Sequence, residues 1–192
     1  MPTRPWLVII GGPNGAGKTT FARSAAKEWS LRYLGADLVA ETPGPGGEGS
    51  EAVRAGRVFT ETVRAAIASR ESLLVESTLS GLGTGRLMRQ ARDAGYRVSV
   101  GFVFVDSAEA CIQRIRVRVQ KGGHFVPDED VRRRFRRSSV NFWERYRLDA
   151  DRWHLIYNGG PSAMRVASGS GARALVIEPS AFERWLRLLE AP

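Results

Sequence analysis

The chain predicts an α/β fold, a three-layer sandwich with a mainly parallel five-stranded core sheet and a helical lid. Three observations carry that prediction. Apolar, β-rich segments alternate with segments of helical period between residues 6 and 157. The first β-rich segment runs directly into a glycine-rich turn with an amphipathic pattern behind it. Near residue 122 a glycine pair separates two arginine-rich helical stretches. Strands spaced by helices of this length pair in parallel, because each crossover must carry the chain back across the sheet before the next strand begins.

Taken in order, WLVIIG (6–11), LRYLGA (31–36), SLLVES (72–77), YRVSVGFVFVD (96–106) and RWHLIY (152–157) read as strands, rich in β-branched, leucine and aromatic residues. Helical periodicity fills 18–29, 50–69, 83–94, 107–119 and 129–148. TPGPGGEG (42–49) is read as a mobile loop, including its G-x-G-x-x-G spacing, because it contains a proline and does not follow a strand directly. After Asn158 the pattern becomes turn-rich, with a short strand pair (163–168 and 174–178) and a closing helix, PSAFERWLRLLE. This tail, about 159–192, is expected as an edge addition to one domain spanning 1–192.

At 192 residues the chain supports one well-cored domain. No apolar run approaches the length needed to span a bilayer, and no cleavage site follows the amino-terminal apolar run, so a cytoplasmic location without a membrane partner is expected. Cys111, His124 and His154 do not have metal-ligand spacing, and a lone cysteine makes no internal disulfide. The net charge of +9 favours an anionic partner. The basic run lacks interleaved aromatics of the stacking kind, so no nucleic acid is expected, although a nucleotide-gated nucleic-acid binder remains the non-enzyme alternative.

The glycine turn is Gly12-Pro13-Asn14-Gly15-Ala16-Gly17-Lys18-Thr19, a full G-x-x-x-x-G-K-[ST] between strand and helix. Its glycines let the backbone wrap so that N–H groups face phosphate oxygens at a helix N-terminus. This predicts a P-loop that binds ATP through Gly12, Asn14, Gly15, Ala16, Gly17, Lys18, Thr19 and Thr20. Lys18 reaches the β- and γ-phosphates, and the Thr19 hydroxyl ligates Mg²⁺. Asp37 and Glu76 end the second and third strands, where carboxyl ends line the ligand crevice of open parallel sheets. A kinase needs a carboxylate beside the acceptor hydroxyl. Asp37 is the candidate; its competing reading is a cap or turn residue, and that of Glu76 is a salt bridge to a neighbouring arginine. Asp106, ending the fourth strand, is read as part of a helix cap ahead of Ser107 and Glu109 rather than as a metal ligand.

The order GGPNGAGKTT, GADLVA, VESTLSG, RIRVRVQKGGHFVP, VRRRFRRSSVNF and WHLIYNGG resembles the zeta toxin family of P-loop kinases, in particular its short members with a Gly-Gly-His turn, over about residues 6 to 167. The resemblance implies phosphate contact by Lys18, a general base at Asp37, acceptor binding by Glu76 and Thr78, and a pair of lid arginines at Arg118 and on the following helix. It also implies transfer from ATP to a hydroxyl of a nucleotide-linked acceptor such as a UDP-sugar. A kinase for an unrelated small molecule, an antibiotic or free sugar, is the enzyme alternative. Two departures stand out: the chain is shorter than the known toxins, so no antitoxin is implied, and Asn158-Gly159-Gly160 replaces the Asp-Asn-Ser of similar short members.

Helical geometry places the arginine run. Val131, Phe135, Phe142 and Tyr146 share one face at the 3.6-residue period, which predicts a helix packed on the core. Arg134 flanks that stripe with Ser138 and Asn141, and Arg114 and Arg118 flank Cys111 and Ile115 on the preceding helix. A lid over about 114–142 is expected, hinged at Gly122-Gly123. Arg114 would contact the nucleotide, and Arg118 and Arg134 the transferring phosphoryl group, with Arg133 the alternative to Arg134.

Overall fold

The computed structural model describes residues 4–35 and 48–190, with the side chains of 48–56 outside the description. Its centre is a seven-stranded sheet in the order β2-β3-β1-β4-β5-β6-β7. The strands are β1 (Trp6–Gly11), β2 (Arg32–Leu34), β3 (Leu73–Ser77), β4 (Arg97–Phe104), β5 (Arg152–Tyr157), β6 (Met164–Ser170) and β7 (Arg173–Val176). The first five pair in parallel, and β6 and β7 continue the sheet antiparallel from β5. The expected five-stranded core and its edge hairpin therefore share one sheet. The second strand is shorter than expected, three residues rather than six.

Helices α1 (Lys18–Glu28), α2 (Glu48–Ala68), α3 (Gly83–Asp93), α4 (Ala108–Gln120), α5 (Asp128–Asn141) and α6 (Pro179–Glu190) fill the crossovers and the tail. Glu48 and Gly49, expected in the loop, open α2; the rest of that expected loop lies outside the described residues. β1 sits between β3 and β4 with Ile10 beside Glu76 and Gly11 beside both Ser77 and Phe102. The chain leaves β1 toward one edge and returns across it toward the other, so the end of β1 is the switch point where such sheets open a crevice.

The two faces of the sheet are covered unequally. Leu7, Ile9, Val98, Val100, Phe102, Trp153 and Leu155 point to one face, beneath α2, α3, α6 and the segment Phe142–Tyr146. Val8, Ile10, Val103 and Ile156 point to the other, against Ala22, Ala25 and Ala26 of α1. Strand alternation gives both sets from the same strands. On the first face Phe142 stacks on Phe102 at 4.7 Å between centroids and meets Trp153 and Trp185 edge-on; such pairs each contribute about 0.5–1.5 kcal/mol beyond their area.

Phe142 belongs to a π-helical turn (Phe142–Tyr146) that continues α5 before a last α turn (Arg147–Asp149). The expected single helix over 129–148 is thus interrupted by wider hydrogen bonding, a feature common at functional sites. The predicted stripe of Val131, Phe135, Phe142 and Tyr146 is buried throughout. Asn141 Nδ2 donates to Leu79 O at 2.8 Å and the Tyr146 hydroxyl donates to Gly81 O, so this helix end holds the loop that follows β3. The cap of α4 corrects the sequence reading. Ser107 Oγ accepts from Ala110 N at 3.1 Å, whereas Asp106 accepts from the Tyr157 hydroxyl at 2.6 Å and faces Arg184. The hydroxyl reaches the third amide of the helix from one residue closer than Asp106 could.

Candidate active site

The glycine loop is shaped by main-chain crowding. Gly12, Gly15 and Gly17 all have φ in the left-handed region, +141°, +84° and +92°. A Cβ at Gly15 would lie 2.5 Å from Cys111 O, and one at Gly12 would run into Val103 O, so neither neighbour could yield as a side chain would. Lys18 Nζ donates to Pro13 O at 2.8 Å, folding its ammonium back over the loop. Asn158, just after β5, donates from Nδ2 to Ala16 O at 2.7 Å. Its own carbonyl accepts from Arg114 Nη2 at 2.7 Å. One residue therefore joins the loop to the first arginine of α4.

A cavity of about 500 Å³ opens at this loop, lined by Asn14, Gly15, Gly17, Lys18, Thr19 and Thr20, by Glu76, Ser77 and Thr78 after β3, and by Arg114, Ile115 and Arg118 of α4. Ten of the expected site residues thus come together, with Glu76, Thr78 and Arg118 among them. Gly12 and Ala16 do not line it: they pack behind the loop and are buried. Asp37 lies outside the described residues.

Glu76 is the hub. Its Oε2 accepts from Thr19 Oγ1 at 2.9 Å and its Oε1 accepts from the Tyr33 hydroxyl. The expected alternative of an arginine salt bridge is replaced by two hydroxyl partners. Burial, followed by the hydrogen bond to Glu76, pushes the Tyr33 phenol well above its usual range, so it stays a donor. Among the described residues no cluster of three or more His, Cys, Asp or Glu side chains is present. A hydroxyl and a carboxylate side by side nevertheless fit Mg²⁺, which takes oxygen ligands and is commonly bound by one or two carboxylates plus substrate phosphates.

The lid arginines divide. Arg134 Nη1 donates to Asn14 Oδ1 at 3.3 Å while Nη2 pairs with Asp130 at 3.2 Å; its side chain is 34% exposed. Arg133 holds Asp130 at 2.6 Å and is 53% exposed. Arg118 Nη2 donates to His124 O at 2.6 Å across the glycine turn, where Gly122 has φ +83°. Tyr33 and Asn158 escaped the sequence reading as site residues. Only the position of Asn158 at a strand end beside the loop could have suggested it; Tyr33 sits in the middle of β2.

A family model described as an AAA domain matches residues 7–139. An uncharacterised protein of Haemophilus influenzae is 30% identical over 128 residues, covering 67% of this chain and 91% of that one. Among solved structures, the AvrRxo1-ORF1:-ORF2 complex with ATP aligns at a TM-score of 0.70 and 17% identity, over 95% of this chain and 64% of that one. The chain therefore spans under two thirds of that protein. The PezAT chromosomal toxin–antitoxin system of Streptococcus pneumoniae aligns at 0.65 and 17% identity, over 98% and 89%. A gluconokinase from Sinorhizobium meliloti aligns at 0.53 and 14% identity, over 97% and 92%. These likenesses show a P-loop kinase-like fold, and the chain belongs to the AAA domain family.

Proposed function

We propose that the protein is an ATP-dependent kinase of the zeta toxin type, transferring the γ-phosphoryl group of ATP to a hydroxyl of a small, nucleotide-linked acceptor. The observation that carries this reading is the single cavity in which Lys18, Thr19, Glu76, Arg114 and Arg118 converge at the switch point of the sheet. Likeness to a toxin–antitoxin system and to a gluconokinase supports it.

In the proposed reaction the acceptor oxygen bonds to the γ-phosphorus as the bond from that phosphorus to the β,γ-bridging oxygen breaks, and ADP leaves with the electron pair. The acceptor proton passes to the Asp37 carboxylate. Lys18 and the loop amides hold the phosphates, and Arg118 and Arg134 face the charge that spreads over the transferring group. Thr19 and Glu76 would hold Mg²⁺, which would supply positive charge to offset that of the phosphates. Thr78, hydrogen-bonded to Ser80 at 2.8 Å on the cavity wall, is placed to meet the acceptor.

The test is Lys18→Ala and Asp37→Asn in an ADP-release assay over nucleotide sugars, nucleotides and free sugars, with ATP binding followed by calorimetry. Lys18→Ala should abolish turnover. Asp37→Asn should keep ATP binding and lose nearly all transfer. Wild-type transfer by Asp37→Asn would remove that residue from the chemistry, and turnover confined to free sugars or antibiotics would select the other kinase reading.

A further inference from the structure

A cavity of about 360 Å³ opens beside α1, on the face of the sheet turned away from α2, α3 and α6. Strand register explains its floor. Val8 lies beside Ser99, Ile10 beside Gly101, Gly101 beside His154 and Ile156 beside Arg165, so one row of residues crosses β1, β4, β5 and β6 on a single face. Phe21 of α1 and Trp29, just past its end, form the wall. The cavity shares no residue with the phosphate-loop cavity. Its volume is that of a small-molecule site, mostly apolar with a few convergent polar groups.

Two features suit this hollow to an occupant. Gly101, inside the central strand β4, leaves the floor bare: a Cβ there would lie 3.0 Å from Ile10 Cδ1 and 3.4 Å from Ile156 Cδ1. Glycine within a strand weakens it and often marks a place where a ligand approaches closely. His154 Nδ1 is buried and has no hydrogen-bond partner among the described residues, a cost that a polar group entering the cavity would relieve. Burial, then the charges of Arg165 and Arg152, push the His154 ring below its usual range, so it is neutral and can carry its proton on either nitrogen. The remaining polar groups of the lining are the Ser99 hydroxyl and the Arg165 guanidinium, with no carboxylate among them. Arg165 is in no ion pair among the described residues. At the rim Trp29 is left 47% exposed.

We propose that this cavity is a binding site for a small aromatic carboxylate. The ring lies on the bare floor at Gly101, between Ile10 and Ile156 and against Phe21 and Trp29. Its carboxylate accepts from Arg165, with the His154 ring and the Ser99 hydroxyl as further donors. A flat floor and aromatic walls favour a ring over a flexible chain, which also loses more freedom on binding. A guanidinium without a carboxylate partner favours an anion over a neutral group of the same shape. The site stands apart from the reaction proposed above and does not depend on it.

The experiment titrates benzoate, indole-3-acetate and 2-naphthoate, each against its neutral primary amide, and octanoate into the protein by calorimetry. At least one aromatic acid should bind about tenfold or more tightly than both its amide and octanoate. Arg165→Ala should remove the preference for that acid, the loss expected of a charge-assisted hydrogen bond, and leave the amide unchanged. Gly101→Ala places a methyl group on the floor and should weaken acid and amide alike by about tenfold, with a thermal melt reporting that the variant is folded. Arg187→Ala, exposed on α6, should behave as wild type. Binding of the acid should persist in excess Mg²⁺ and the non-hydrolysable analogue AMPPNP, because the two cavities are separate. Binding of no aromatic acid, equal binding of acid and amide, octanoate as tight as the aromatic acids, displacement by AMPPNP, or the same behaviour of Arg165→Ala and Arg187→Ala overturns the proposal.

Discussion

The phosphate loop meets α4 across one cavity and α5 through Arg134 and Asn14, yet loop and helices are held by different physics. The loop is fixed by main chain: Gly12 packs against Val103 O, Gly15 against Cys111 O, and Asn158 clasps Ala16 O. The charged groups of α4 and α5 are held by side-chain pairs at the surface, Arg116 with Asp128, Arg132 with Glu109 and Arg133 with Asp130, each roughly half-exposed on the arginine side. Such pairs contribute about 0–1 kcal/mol each, less in salt. The comparison teaches that the loop is fixed by main chain, whereas the arginines of α4 and α5 are held by weak surface pairs above an apolar stripe that is itself buried.

The largest test compares arginines within the run. Arg134 reaches the loop at Asn14, and Arg136 lies exposed with no partner there. Arg134→Ala should lower kcat on the order of 10³-fold, as for arginines that stabilise a transferring phosphoryl group. Arg136→Ala should leave kcat within about twofold, since a surface change away from any such feature perturbs little. Equal activities in a steady-state assay would reduce the run to a solvated face.

A second test sets two glycines of similar backbone against each other. Gly15 and Gly122 have φ of +84° and +83°, but a Cβ at Gly15 meets Cys111 O at 2.5 Å and one at Gly122 meets nothing within 4 Å. Gly122→Ala should show only the left-handed strain, about 1–2 kcal/mol in a thermal or denaturant melt. Gly15→Ala adds a main-chain overlap and should also weaken ATP binding by about tenfold or more, read by calorimetry. Equal ATP affinities would mean that the loop is no more tightly built than the turn between the two helices.

The same division explains what could be read from the sequence. Left-handed backbone and close approach demand glycine, so the loop is written in residue type at fixed spacing. The buried stripe of α5 is likewise periodic, and Arg134 stands on its flank, within reach of Asn14. The partners of Glu76 were not legible, because Thr19 and Tyr33 lie 57 and 43 residues away in sequence and only the strand order β2-β3-β1 unites them. In the sequence Asn158 reads only as a departure from Asp-Asn-Ser, and its clasp on Ala16 depends on β5 ending beside the loop. The π turn at Phe142 leaves no mark in the 3.6-residue pattern, since Phe142 and Tyr146 stay on the buried face either way. The cap at Ser107 rather than Asp106 is a one-residue choice between two good capping side chains, which propensity does not resolve.

The smallest effect gives the most direct view of the looser half. Cys111 is the chain's single cysteine, fully buried on α4 among Val105, Ile112, Ile115, Val131 and Phe135, with its carbonyl against Gly15. Burial pushes its thiol up to about 12, offset in part by the Lys18 and Arg114 charges. Since only the thiolate attacks, about 10⁻⁴ of the sites would be reactive at pH 8 if the folded state reacted directly, and the rate would climb tenfold per pH unit through pH 10. Labelling through transient opening of the α4–α5 unit instead frees a thiol of ordinary acidity, and its pH dependence flattens above about 8.5. Iodoacetamide labelling of the native protein should therefore be slow and should level off at alkaline pH. Saturating Mg²⁺-ATP should slow it further, by a factor that grows with occupancy, because nucleotide binds the closed form in preference. A rate that rises steadily to pH 10 and ignores ATP would show α4 to be as rigid as the loop beside it.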